Sequence, residues 1–212
     1  MRGVSVSKEL SAQELAAQLS PAASMESFAA TRPAVWMKRA GIVLAGSALV
    51  AVCAHLAMPL YFTPVPLSLA PFAVLVIGLV LRPGLAASTL GAYLIEGALG
   101  LPVFSPTPAI SGIWHLFGPT GGYLLSYPLA AALIAFLVRR TSRGFAPAAL
   151  SAALGSFVIL ACGAAWLAVL THASALSVVK LAVLPFLPGD ALKVAAAAAL
   201  AAAWVHVRRQ SA

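Results

Sequence analysis

From residue 40 to residue 207 the chain is a succession of apolar runs, broken at short intervals by proline, glycine or arginine. The runs cover residues 40–60, 67–81, 85–99, 120–138, 146–170 and 194–207, the last entered through Pro188-Gly189-Asp190-Ala191-Leu192-Lys193. Most hold roughly 15 to 25 residues, enough for a helix to cross a hydrocarbon core, with neighbours helping the shorter ones. Pro59, Pro64, Pro66 and Pro71 force an irregular connection after the first run. Arg82-Pro83-Gly84 closes the second run and Gly100-Leu101-Pro102 the third. Residues 1–35 are the polar exception, with Glu9, Glu14, Glu26 and a weak capping box from Ser11 to Glu14. That segment has no apolar core of the kind a cleavable signal needs, and it reads as a mobile tail with a short surface helix at most.

Composition fixes the class. With 62% hydrophobic and 8% charged residues, the chain falls far below the roughly 25% charged residues of soluble domains, which makes it a membrane protein. A net charge of +8 would suggest nucleic acid in a soluble chain, but in a membrane chain the placement of the bases matters more, and no nucleic-acid partner is expected. Lys38 and Arg39 precede the first run, Arg82 divides the second from the third, Arg139, Arg140 and Arg143 follow the fourth, and Arg208 and Arg209 follow the sixth. With about six spans all of these fall on one side, and Lys180 is the lone base on the other. The expectation is an all-α polytopic bundle in the cell membrane with both termini cytoplasmic. Residues 1–37 would form a polar cytoplasmic tail and residues 38–209 a six-helix transmembrane substrate-binding domain. The loops at Tyr61, Val103 and Thr171 would face outward.

A charge in hydrocarbon costs roughly 2.5 to 3.5 kcal/mol on insertion scales, so intramembrane ions normally meet a partner, a cavity or a ligand. Asp190 and Lys193 lie three apart, on one side of a helix, at the outward end of the sixth run. The plainer reading has Gly189 turning the chain, Asp190 capping the helix and Lys193 snorkelling to the surface. Glu96 closes a four-residue recurrence of Gly84, Ser88 and Ala92, a stripe that suits close helix packing, and Tyr93 stands three before it. Tyr93 and Glu96 are candidates for a ligand or cavity role, the alternative being that Glu96 reaches the headgroups. Gly118-Pro119-Thr120-Gly121-Gly122-Tyr123 lacks the Lys-Ser/Thr of a phosphate loop, leaving tight packing or a pocket wall.

Other chemistry is weakly signalled. Cys53 and Cys162 sit in apolar runs without CxxC spacing and read as packed, inert thiols. His55, His115 and His172 fall at outward ends or loops without i,i+4 spacing; they carry a second functional reading, an outward-facing metal- or haem-binding membrane protein. Ser111 with His115 lacks the Gly-x-Ser-x-Gly turn of a hydrolase. With no Walker motif, ATP hydrolysis in this chain is not expected, and the chain reads as a non-enzyme without a cofactor of its own, compatible with solute capture.

Phe62-Thr63-Pro64-Val65-Pro66-Leu67, then Tyr93-Leu94 with Gly97-Ala98-Leu99-Gly100-Leu101-Pro102-Val103-Phe104, then Gly118 through Leu124, and finally Gly189-Asp190 with Lys193 follow one another in order. This succession, over about residues 40 to 207, resembles the BioY family, the biotin-binding S components of energy-coupling factor (ECF) transporters. The family commonly has Thr-Leu-Gln where this chain has Ser68-Leu69-Ala70, and an aliphatic residue at Glu96. The resemblance implies six helices, biotin captured from outside, and partners comprising an EcfT-like membrane coupling subunit and two ABC-type ATPase subunits that hydrolyse the ATP. With the resemblance, the expected substrate-binding set is Asp190, Lys193, Tyr93, Thr63 and Tyr123, to which Glu96 is added on its place three residues after Tyr93 and not on the family pattern, with the loop from Tyr61 to Pro66 closing over the ligand. Asp190 would accept from ureido N–H, and Lys193 would serve the ureido oxygen or the carboxylate. Gly41, Ala45 and Ala48 form a small-residue face on the first run, of the kind S components dock against the coupling subunit; intramolecular packing is the alternative.

Overall fold

A computed structural model describes residues 21–61, 63–106, 112–141 and 144–210, with side chains placed between residues 33 and 207. The capping box at Ser11, Ser111 and Arg143 lie outside the described residues. The chain divides into two compact units, Met1–Gly41 and Ile42–Ala212. In the first unit the Arg39 guanidinium stands 5.5 Å from the centre of the exposed Trp36 ring.

The elements in chain order are α1 (Pro21–His55), β1 (Ala57–Met58), β2 (Leu67–Ser68), α2 (Ala70–Val80), α3 (Pro83–Ala98), α4 (Trp114–Phe117), α5 (Gly121–Arg140), α6 (Phe145–Thr171), α7 (Ala175–Ala182) and α8 (Leu187–Gln210). Six principal helices thus stand where the six apolar runs predict them. Four segments are long and apolar enough to cross a membrane: Pro33–His55, Gly121–Arg140, Phe145–Thr171 and Leu187–Val207. α2 and α3 are shorter, at 11 and 16 residues.

The ends differ from the expectation for identifiable reasons. Helix α1 reaches back to Pro21, into the segment read as a tail, and stops at His55 because the chain turns toward Pro59. Beyond it Ala57 and Met58 pair antiparallel with Ser68 and Leu67, taking the start of the second run into a small hairpin. Between α2 and α3, Pro83 holds Arg82 extended at ψ 152°, which ends one helix and opens the next with proline at its first position. α8 starts at Leu187, so Asp190 lies within its first turn rather than at the cap, and its N–H donates to the Phe186 carbonyl at 2.8 Å.

Within the larger unit α5 is central, packing against α6, α3 and α2, while α8 packs against α6 and α2. Small residues set these distances. A Cβ on Gly122 would fall 2.2 Å from Trp166 Cβ and 2.7 Å from the Cys162 carbonyl oxygen, so α5 and α6 touch backbone to backbone there. The recurrence Gly84, Ser88 does not pack this way: both are exposed and a Cβ at Gly84 would meet nothing, because α3 buries Ala86, Leu90, Tyr93 and Gly97 instead. Large apolar side chains such as Leu129, Leu150, Phe157 and Leu200 point outward, as a lipid-facing surface requires.

Replacing Gly122 by Ala pushes a methyl into a backbone contact with no room to yield. We expect a loss of about 1–3 kcal/mol, read as a lower midpoint of thermal unfolding in detergent; an unchanged midpoint would show that α5 and α6 are not held this closely.

Candidate functional site

The first turn of α8 places Asp190 and Lys193 on one face, with Lys193 Nζ 3.2 Å from Asp190 Oδ1. Both are buried, at 7% and 9% exposure, so Lys193 is not snorkelling. The second carboxylate oxygen, Oδ2, accepts from Ser156 Oγ of α6 at 2.9 Å. The pair lines an open-mouthed cavity together with Tyr93, Tyr123, Tyr127 and Phe186.

The walls are aromatic and are held by glycines. Tyr123 lies over Gly163, where a Cβ would fall 2.2 Å from the ring, and its hydroxyl donates to the Ala182 carbonyl at 2.8 Å. Phe104 lies over Gly97 in the same way, 2.1 Å from the position a Cβ would take. Tyr93 meets Phe104 edge-on at 5.4 Å, stacks on Tyr127 at 6.5 Å and donates to the Val103 carbonyl at 3.1 Å. Because both hydroxyls donate to backbone carbonyls, Tyr93 and Tyr123 present fixed ring faces to the void. Phe186 packs 6.3 Å from Tyr123, and Ile159 and Leu160 close the α6 side.

At the other end of this wall, the His115 ring lies 5.3 Å from Phe104 and its Nε2 donates to the Ser105 carbonyl at 3.3 Å. Ser105 Oγ in turn donates to the Ala54 carbonyl at 2.9 Å, tying the loop to α1. Val65 and Pro66 reach the cavity from the loop before β2.

Four of the six residues expected at the site therefore line one cavity: Asp190, Lys193, Tyr93 and Tyr123. Glu96 and Thr63 stand outside its lining. Glu96 is half-buried and accepts from Ser47 Oγ, joining α3 to α1 instead of reaching the cavity that Tyr93 lines. Thr63 is buried and its Oγ1 accepts from the Val65 N–H at 3.4 Å, which shapes the loop rather than the void. Tyr127, four residues after Tyr123 on the same face, was legible from helical spacing; Ser156 had no signal beyond a hydroxyl in an apolar run.

The histidines are not brought together. His55 and His172 are exposed, His115 is buried, and among the described residues no three His, Cys, Asp or Glu side chains form a group able to hold a metal ion. Gly41, Ala45 and Ala48 are all exposed, whereas Ser47, Val50 and Ala54 form the buried side of α1.

Comparison with known proteins gives consistent results. The model of the BioY family matches residues 23–210. The probable biotin transporter BioY of Pyrococcus horikoshii is 41% identical over 138 residues, covering 65% of this chain and 79% of that protein. Biotin transporter BioY2 of Lactococcus lactis is 34% identical over 155 residues, 72% of this chain and 81% of that one. The crystal structure of the S-component for biotin from an ECF-type ABC transporter superposes with a TM-score of 0.73 at 24% identity, covering 80% of this chain and 92% of that one; at that identity it speaks for the fold.

Burial holds the His115 imidazole below its ordinary pKa, and the bond to Ser105 opposes that shift without cancelling it. The unfolded chain then takes up the extra proton first, so the stability carried by neutral His115 is present above pH of about 6.5 and is lost as pH falls below it. Thermal midpoints at pH 7.5 and 5.5 should differ less in His115→Phe than in the native chain; equal differences would contradict the assignment.

Proposed function

The chain belongs to the BioY family, and from that premise we propose that its cavity captures biotin from outside the membrane, as the substrate-binding subunit of an ECF-type transporter. The observation that carries the proposal is the buried Asp190–Lys193 pair lining a cavity whose other walls are mostly aromatic and aliphatic, with Ser68, Ser105, His115 and Thr120 as the remaining polar residues. Biotin has a ureido ring with two N–H donors and one oxygen acceptor, an apolar thiophane ring and valeryl chain, and a carboxylate. Aromatic walls suit its apolar body. The carboxylate of Asp190 suits the ureido N–H groups, and the ammonium of Lys193 suits the ureido oxygen or the ligand carboxylate.

The topology supports access from outside. At α5 the cavity residues Thr120, which caps the helix, and Tyr123 stand at the start and Arg139 and Arg140 at the end; in α3 Arg82 precedes the helix and Tyr93 lies late in it. α8 likewise begins at the cavity with Asp190 and runs toward Arg208 and Arg209. With the arginine ends cytoplasmic, the cavity opens to the exterior and both termini are cytoplasmic.

Energy for uptake comes from partners in this proposal: an EcfT-like membrane coupling subunit and two ABC-type ATPase subunits, this chain binding no cofactor of its own. On α1, Ala45 and Ala48 are exposed small residues beside the exposed Leu44, Leu49 and Val52. A surface of this kind admits the close approach of another helix, and their exposure favours the docking role over packing within the chain.

Equilibrium titration of the purified chain should show saturable binding of biotin, weaker binding of desthiobiotin and none of an unrelated vitamin. Asp190→Asn and Lys193→Ala should each weaken biotin binding at least tenfold, about 1.4 kcal/mol; native affinity in both would remove the pair from the site. Ala45→Trp with Ala48→Trp should abolish co-purification with the coupling subunit and leave biotin affinity unchanged. Retained co-purification would exclude this face as the docking surface.

A further inference from the structure

Hydroxyls inside a helix usually return to a carbonyl of their own preceding turn. Here Ser88, Thr89, Ser151 and Thr171 each donate to the carbonyl four residues back, at 2.7–2.8 Å. Ser156, on the same helix as Ser151 and Thr171, does not: its buried hydroxyl crosses from α6 to α8 and donates to Asp190 Oδ2 at 2.9 Å. Its place on the helix makes this possible. Gly155 lets α6 close on Ile134, whose Cδ1 lies 2.3 Å from where a Cβ would be, and Ile159 and Leu160, one turn on, line the cavity.

We propose that Ser156 is a positioning residue for ligand capture, acting through Asp190; the inference rests on the reading of the cavity as a biotin site. The carboxylate divides its oxygens between two donors, Oδ1 to Lys193 and Oδ2 to Ser156. The ammonium has three N–H donors, and among the described residues Asp190 Oδ1 is its one protein acceptor. Ser156 therefore keeps the ion pair single-pronged. With one lone pair of Oδ2 taken by Ser156, turning the carboxylate to grip Lys193 with both oxygens would strain that bond, which leaves the remaining N–H groups of the ammonium available to a guest. The serine also sets the angle from which the Asp190 lone pairs meet a ligand N–H.

The test uses the full chain in detergent micelles, with biotin as the probe. Ser156→Ala should raise the Kd for biotin about fivefold, an effect on the scale of one lost charge-assisted hydrogen bond only partly passed to the ligand. In the ligand-free protein the infrared carboxylate stretch of Asp190, identified as the band lost in Asp190→Asn, should shift in Ser156→Ala. A packing defect alone would weaken binding without moving that band. Affinity within about twofold of the native chain, or a band that stays in place, overturns the inference. Failure of the native chain itself to bind biotin is a different result, and it overturns the functional reading on which the inference rests.

Discussion

Everything at the site depends on an ion pair buried in the wall of the cavity. Two opposite charges in a chain of 62% hydrophobic residues are tolerable because they neutralise one another and because the carboxylate has a donor on each oxygen. Such a pair is seldom retained for stability, since well-packed apolar replacements of similar volume are often neutral or stabilising. Its position in the first turn of α8 adds a favourable field, because the positive end of the helix dipole meets Asp190. In the function proposed above, a charged pair in this setting is explained by the guest it would hold.

The rest of the architecture serves that pair. Glycines at positions 97 and 163 let Phe104 and Tyr123 lie flat against neighbouring helices. The tyrosine hydroxyls are anchored to Val103 and Ala182, so the rings have little freedom to collapse into the void. Preorganisation of this kind lowers the entropy lost on binding. Around it, the outward surface carries leucine, phenylalanine and tryptophan, which the bilayer solvates and which no soluble fold would expose so widely.

Much of this architecture is legible in the sequence. Apolar run length and the arginine-bearing breaks locate the six principal helices, since few other structures satisfy the backbone in lipid. The three-residue spacing of Asp190 and Lys193 and the positions of Tyr93 and Tyr123 place all four in the lining of one cavity, because helical periodicity alone puts each pair or ring on a face. What failed to carry through depended on which face turns inward. Glu96 shares a helix with Tyr93 but turns to Ser47, and the small stripe from Gly84 faces out. Thr63 belongs to a recognisable motif, yet its hydroxyl is used within its own loop. Ser156 and the short helices α4 and α7 carry no signal in the sequence because tertiary contact, not local pattern, places them.

The central claim is that the charges at the head of α8 exist for the guest and not for the fold. It is tested most directly by replacing both together, Asp190→Leu with Lys193→Met, and measuring thermal stability and biotin binding on the same preparation. The account predicts a bundle at least as stable as the native chain with binding lost. A variant that still binds biotin, or that no longer folds, would contradict it.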